Sequence, residues 1–275
     1  MKSSLARWLS TLAWMAAWGL GTVVSASAQD AQIAARRVDG TLHAYLVMRN
    51  ESGQVLASGD LVQVVRRSRV TNHLVFHFKD GSIDDETTIF TQRGAFHLIS
   101  DHHIQKGPFF PHSLDLRVDA RKGEVTVQSY GSDGKSNLQT ERMKMPPNLC
   151  SPSMLALIAM NLAPAAGGQV SMVVATPKPR LVRLEFTGMG ESKFSVAGSE
   201  RQALHYEGKF DLGGVAQAVA PLVGKQPPDI EIWIEPGEVP GFVKEVGVLA
   251  AGGPVVSIQQ TGPVGPKYTE SGSGK

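Results

Sequence analysis

One cysteine, Cys150, stands in the whole 275-residue chain, so no intrachain disulfide can staple the fold. The core must hold it unaided, and a chain of this size can do so, because it buries roughly 70% of its extended surface. An excess of charge of one sign is also missing. The formal charge is +2, and Lys2 and Arg7 lie in the first 28 residues, so without that segment the balance is zero. Nothing in the charge balance would draw the chain to nucleic acid or anionic lipid. Arg66, Arg67 and Arg69 form the one dense basic patch, which a solvated strand end explains. Beyond Val24 no apolar run approaches transmembrane length, so no integral membrane segment is expected after cleavage.

The usual catalytic signatures are missing too. There is no Gly-x-Ser-x-Gly elbow, no Ser-x-x-Lys pair at a helix start and no His-Glu-x-x-His helix. The glycines at Gly188-Met189-Gly190, Gly213-Gly214 and Gly252-Gly253 are not followed by Lys-Ser/Thr, so a phosphate cradle and a nucleotide cofactor are not expected. Asp84-Asp85-Glu86 after Asp80 reads as a solvated turn rather than a cation loop. Cys150, in Pro-Pro-Asn-Leu-Cys-Ser-Pro, reads as structural. Five histidines fall between His73 and His103, with His112 beyond. They make His97, Asp101, His103 and His112 weak candidates for a metal site, although His102 and His103 would face opposite ways in a strand.

What is present begins with an export signal. Lys2 and Arg7 precede an uncharged apolar run, Trp8 to Val24, which closes on Ala26-Ser27-Ala28. Residues 1–28 are read as a signal peptide cut before Gln29, with no cysteine there for lipid attachment, and a periplasmic or secreted location is expected.

From Thr41 onward, short β-branched runs alternate with Gly, Asp and Pro turn signals. Asn72 to Lys79 alternates Leu74, Phe76 and Phe78 against His73, Val75 and His77. Hairpins are expected across Gln92-Arg93-Gly94, Ala120-Arg121-Lys122-Gly123 and Asp133-Gly134, and Gly59-Asp60 suggests a bulge or bend. Adjacent hairpins argue for an antiparallel meander. Ser151 or Ser153 is placed to cap a helix through Met154, Leu155, Leu157, Ile158 and Leu162, and Gly213 to Val223 reads as a second short helix. Asp229 to Glu235 puts Ile230, Ile232 and Ile234 on one face and Trp233 between two carboxylates on the other.

The expected fold is mainly β: a single large, strongly curved, half-barrel-like antiparallel sheet over residues 29–260. It would hold about ten to fourteen strands and one or two short capping helices, with residues 261–275 a disordered Gly/Pro/Ser-rich tail. The function expected is non-catalytic: binding of an apolar or lipid-like envelope molecule on the concave face, with Phe109, Phe110, Met154, Ile158, Ile232 and Trp233 as its contacts. The alternatives are an assembly protein with a filled core and an exposed sheet edge, and a hydrolase with an unrecognised His/carboxylate site.

The phrases Phe76 to Thr87, Phe90-Thr91-Gln92-Arg93, Gly107-Pro108-Phe109-Phe110-Pro111, Met172 to Arg180 and Gly224 to Ile230 resemble an uncharacterised family of secreted bacterial envelope proteins. That resemblance implies no catalytic residues. Ile232-Trp233-Ile234-Glu235-Pro236, followed by Val239 to Lys244, is similar to the late strands of periplasmic lipoprotein carriers and related lipid-binding proteins. This second likeness implies a curved sheet closed by helices around an apolar cavity.

Overall fold

A computed structural model describes residues 32–38, 40–131, 135–163, 167–196, 199–211 and 227–261. The expected signal peptide, the expected helix Gly213–Val223 and, beyond Thr261, the expected tail lie outside these residues.

Turn chemistry organises the first half. Glycines at positive φ, such as Gly81 (87°) and Gly94 (74°), reverse the chain where a side chain would be strained. With Arg67, itself at positive φ (60°), turning the chain between the second and third strands, they punctuate one meander of β1 (Leu42–Asn50), β2 (Val55–Arg66), β3 (Arg69–Phe78), β4 (Ile83–Arg93), β5 (Ala95–Lys106), β6 (Ser113–Asp119), β7 (Glu124–Tyr130) and β8 (Ser136–Arg142). A two-residue strand, β9 (Leu149–Cys150), leads into a 3-10 turn, Pro152–Met154, and the helix α1 (Leu155–Asn161). The second half returns as β10 (Gly168–Val174), β11 (Arg180–Val196), β12 (Ser199–Asp211), β13 (Ile230–Glu235), β14 (Gly241–Val248) and β15 (Val255–Thr261).

The fifteen strands of the described residues form one sheet, in the order β8-β7-β6-β5-β4-β3-β2-β1-β15-β14-β13-β12-β11-β10-β9. Every pairing is antiparallel except that of β9 with β10. The two meanders meet at a central seam, where β1 runs against β15 from Tyr45↔Thr261 to Asn50↔Val256.

This corrects the expectation of a strongly curved half-barrel. The sheet is neither closed nor strongly curled: β8 and β9 are its two ends and do not pair with each other. The reason lies partly at Gly59. It makes no bulge, pairing in register with Leu46 and Phe76, and a Cβ there would run into the Phe76 ring. The glycine makes room for an aromatic ring and does not bend the strand. Gly59→Ala should therefore destabilise the protein by about 1–3 kcal/mol through overpacking, read from urea melts; an unchanged midpoint would refute the contact.

Among the described residues one helix packs on the sheet, and none is long and apolar enough to cross a membrane. Its apolar face, with Leu155, Leu157, Ile158 and Ala159 buried, has no charge to place in water. It joins Val70, Phe90 and Phe96 from one half of the sheet to Leu184, Phe186, Tyr206 and Ile232 from the other in a single core. A second apolar cluster surrounds Met48, Phe76 and Phe78, and a third surrounds Leu116, Val125 and Val127. Ile230, Ile232 and Ile234 all point inward, so β13 has the register its alternation implies.

Candidate functional site

Between the three apolar clusters lies a buried polar patch, built by strand parity. The turn at Asp80-Gly81, where the Asp80 carboxylate accepts from the Ser82 N–H (2.8 Å), sets β3 against β4 so that Phe76 faces Asp84. With a side-chain period of two, Asp84, Glu86, Thr88, Phe90 and Gln92 then all point inward and are buried. A slip by one residue would expose Phe90, so burying that ring carries the carboxylates in with it. Opposite them on β5, Glu86 pairs with His103 and Thr88 with Asp101. Asn72 on β3 and Gln63 on β2 extend the same row.

The acidic run expected as a solvated turn is thus the interior of a strand. Asp84 is compensated within it. His103 Nε2 lies 2.5 Å from Asp84 Oδ1, with both side chains nearly inaccessible. Burial alone would lower the pKa of this imidazole, but the Asp84 carboxylate, helped by Glu86 and Asp101, raises it to about 10, so it is an imidazolium. Asp101 is pushed up by burial and by the Glu86 carboxylate, against the pull of His103. The two carboxyl groups, Asp101 and Glu86, thus lie side by side in the interior with His103 as the cation near both.

The Thr88 hydroxyl lies 3.0 Å from Glu86 Oε1, 2.8 Å from Asp101 Oδ1, and 2.9 Å from each of the Ser151 and Ser153 hydroxyls. One hydroxyl donates once and accepts twice, so Thr88 links the carboxyl pair to the segment that enters α1. Ser151 stands at the N-cap position, yet it makes no side-chain cap. The Ser153 N–H instead donates to Glu86 Oε1 at 3.1 Å. A free N–H at the start of the turn is satisfied from another strand.

Above this patch a cavity of about 520 Å³ opens between α1 and the sheet. Leu61, Leu74, Leu155, Leu157, Ile230 and Phe242 give it an apolar wall, while Asn72, Asp84, Glu86, His103, Ser153 and Glu245 supply polar lining. The volume falls inside the usual range for small-molecule sites, roughly 300–1,000 Å³. Glu245, on β14, keeps part of its surface accessible, and burial together with Glu86 pushes its pKa up to about 7. Asn72 Oδ1, His103 Nδ1 and Gln105 Oε1 are buried without a hydrogen-bond partner among the described residues.

Of the residues expected to touch a ligand, Met154, Ile158 and Ile232 are fully buried in the main core, beside the cavity rather than on its wall. Phe109 and Phe110 pack on Phe78, with centroids 4.4 and 5.6 Å away, and do not border it. Trp233 faces the other side of the sheet, stacked on His205 at 4.5 Å with Lys244 Nζ 5.1 Å from its centroid; these two side chains are its cover. Of the candidate metal ligands, Asp101 and His103 enter the polar patch, His97 contacts Gln32 at 2.9 Å and His112 is exposed. Among the described residues no three His, Cys, Asp or Glu side chains are grouped to hold a metal ion. Cys150 is buried, and burial, with Glu86 and Asp101, pushes its thiol far up, away from the reactive thiolate.

Fold and site together define a protein of one open antiparallel sheet with a polar-floored apolar cavity. No family model matches the chain, and no curated protein sequence matches it. Its fold is similar to the crystal structure of a beta-barrel-like protein of a domain of unknown function, DUF1849, from Brucella abortus. The identity is 10% and the TM-score 0.44, covering 82% of this chain and 98% of that one. It is also similar to the hypothetical lipoprotein YmcC from Escherichia coli, at 9% identity and a TM-score of 0.34, over 86% of this chain and 92% of that one. At these values neither likeness extends to a shared activity.

Proposed function

We propose that this is an exported, non-catalytic protein of the bacterial envelope that holds one apolar or lipid-like molecule in the cavity between α1 and the sheet. The observation that carries the reading is the cavity itself: about 520 Å³ with a largely aliphatic wall, in a protein whose other apolar side chains are tightly packed. A space of that size in a core forfeits contacts unless something fills it. The export signal supplies the compartment.

Two measurements test it. Native mass spectrometry of the protein purified from its own envelope should show a bound apolar molecule. The neutral dye Nile red should also bind, and Ala156→Trp, which places an indole at a partly accessible position on the cavity wall, should reduce its binding at least about ten-fold while the fold stays intact. An unchanged dye affinity in that variant, with no co-purifying molecule, would sink the reading and favour the assembly alternative. That alternative would act through the exposed edge strand β8, where Leu138 is 66% exposed.

A further inference from the structure

We infer that the molecule held in this cavity ends in a primary ammonium group, seated against Asn72, Glu86 and Glu245. This rests on the cavity reading above and adds the chemistry of the ligand's polar end.

Two independent observations meet here. One is an unmet hydrogen bond. Asn72 is 2% exposed and lines the cavity, and its Oδ1 has no partner among the described residues. A buried acceptor of this kind calls for a donor. The second is unmatched charge. The His103 imidazolium is hydrogen-bonded to Asp84 and acts on Glu86 without bonding it, and Glu86 and Glu245 line the cavity with no cation bonded to either among the described residues.

The surrounding elements do not supply that cation. Helix α1 carries no charged side chain, β2 contributes Gln63 and β15 contributes Gln260. His43 of β1 is bonded to Asp60. Arg180 of β11 also lines the cavity, but the groups that act on Glu245 are the surrounding protein and Glu86, not Arg180. An ammonium brings three N–H donors and one positive charge to this place. A carboxylate head would bring a negative charge against Glu86 and a further acceptor against Asn72, and a hydroxyl would leave the charge unanswered.

The full chain, freed of any co-purified molecule, should be titrated calorimetrically with decylamine, decyltrimethylammonium, decanol and decanoate. Decylamine should bind at least about ten-fold more tightly than decanol, and Glu86→Gln or Glu245→Gln should bring it to the alcohol's level. Its affinity should also rise between about pH 6 and about pH 8, as Glu245 ionises around 7. Glu86 also bonds the Ser153 N–H, so if Glu86→Gln fails to fold, Glu245→Gln carries the comparison.

Equal binding of amine and alcohol would overturn the ammonium seat and leave the cavity reading standing. So would tightest binding of decanoate with loss of that binding in Arg180→Ala. Decyltrimethylammonium binding as tightly as decylamine would overturn the N–H contact to Asn72. Binding of none of the four would overturn both readings.

Discussion

His103→Leu should lower stability by about 3–5 kcal/mol in urea melts near neutral pH, because it leaves the Asp84 carboxyl group buried without its partner. The two side chains are only 5% and 9% accessible and share one short hydrogen bond, so water cannot take the place of the missing partner. Replacing both, as Asp84→Leu with His103→Leu, should recover most of the loss, since two aliphatic side chains leave no charge to desolvate. A single-mutant loss below about 1 kcal/mol, or losses that simply add in the double mutant, would show that the pair is not coupled in this way.

The pH dependence has a fixed sign. The pKa of His103 in the folded protein is raised from 6.5 to about 10. The stability it contributes is therefore complete below about 6.5 and is lost as pH rises through about 10. Wild type should lose stability across that window relative to His103→Leu, which has no such proton to release.

Phe90→Ala should destabilise by about 3–5 kcal/mol, the usual loss for a large aromatic removed from a close-packed interior. Phe90 is 0% exposed, meets Phe96 edge-on at 6.2 Å and belongs to the core cluster that includes Met154 and Phe186. It does not line the cavity, so no pre-existing space is available for its neighbours to collapse into. The same ring fixes which side of β4 faces inward, so its loss should also loosen the register that buries Glu86. Circular dichroism in the aromatic region together with the melt would detect both effects. A loss below about 1 kcal/mol would mean that the ring is poorly packed.

Much of the architecture was legible where short-range signals dominate. The hairpins across Gln92-Arg93-Gly94 and Ala120-Arg121-Lys122-Gly123 follow from their turn residues, and the inward Ile230, Ile232 and Ile234 follow from a clean period of two. The full length of β11 is not legible from its sequence: the pairing register shifts between Gly188 and Gly190, which breaks the period of two within one seventeen-residue strand. The curvature expected from Gly59 was likewise not legible, because a glycine in a strand looks the same whether it bends the chain or admits a ring.

The polar patch was half visible. Asp101 and His103 stood out as ligand types, but their partners Asp84 and Glu86 looked like a turn, since carboxylates are seldom buried. The available signal was parity: Asp84, Glu86 and Thr88 share the phase of Phe90, and a residue that must be inside fixes its alternate neighbours there too. Ser151 and Ser153 were read as helix caps from local sequence. Their contact with Thr88 crosses more than sixty positions of chain, which no local pattern encodes.

The seam between β1 and β15 places the first and last strands of the described residues side by side in the middle of the sheet, with the rims drawn from the stretch between them. Each meander can assemble from hairpins that close short loops, whereas the seam must bring together segments far apart in sequence. The joint that makes the two halves one sheet is therefore the one with the largest entropy of closure. The six pairs between Tyr45↔Thr261 and Asn50↔Val256 form a zipper whose fastening waits until the chain has been made as far as Thr261.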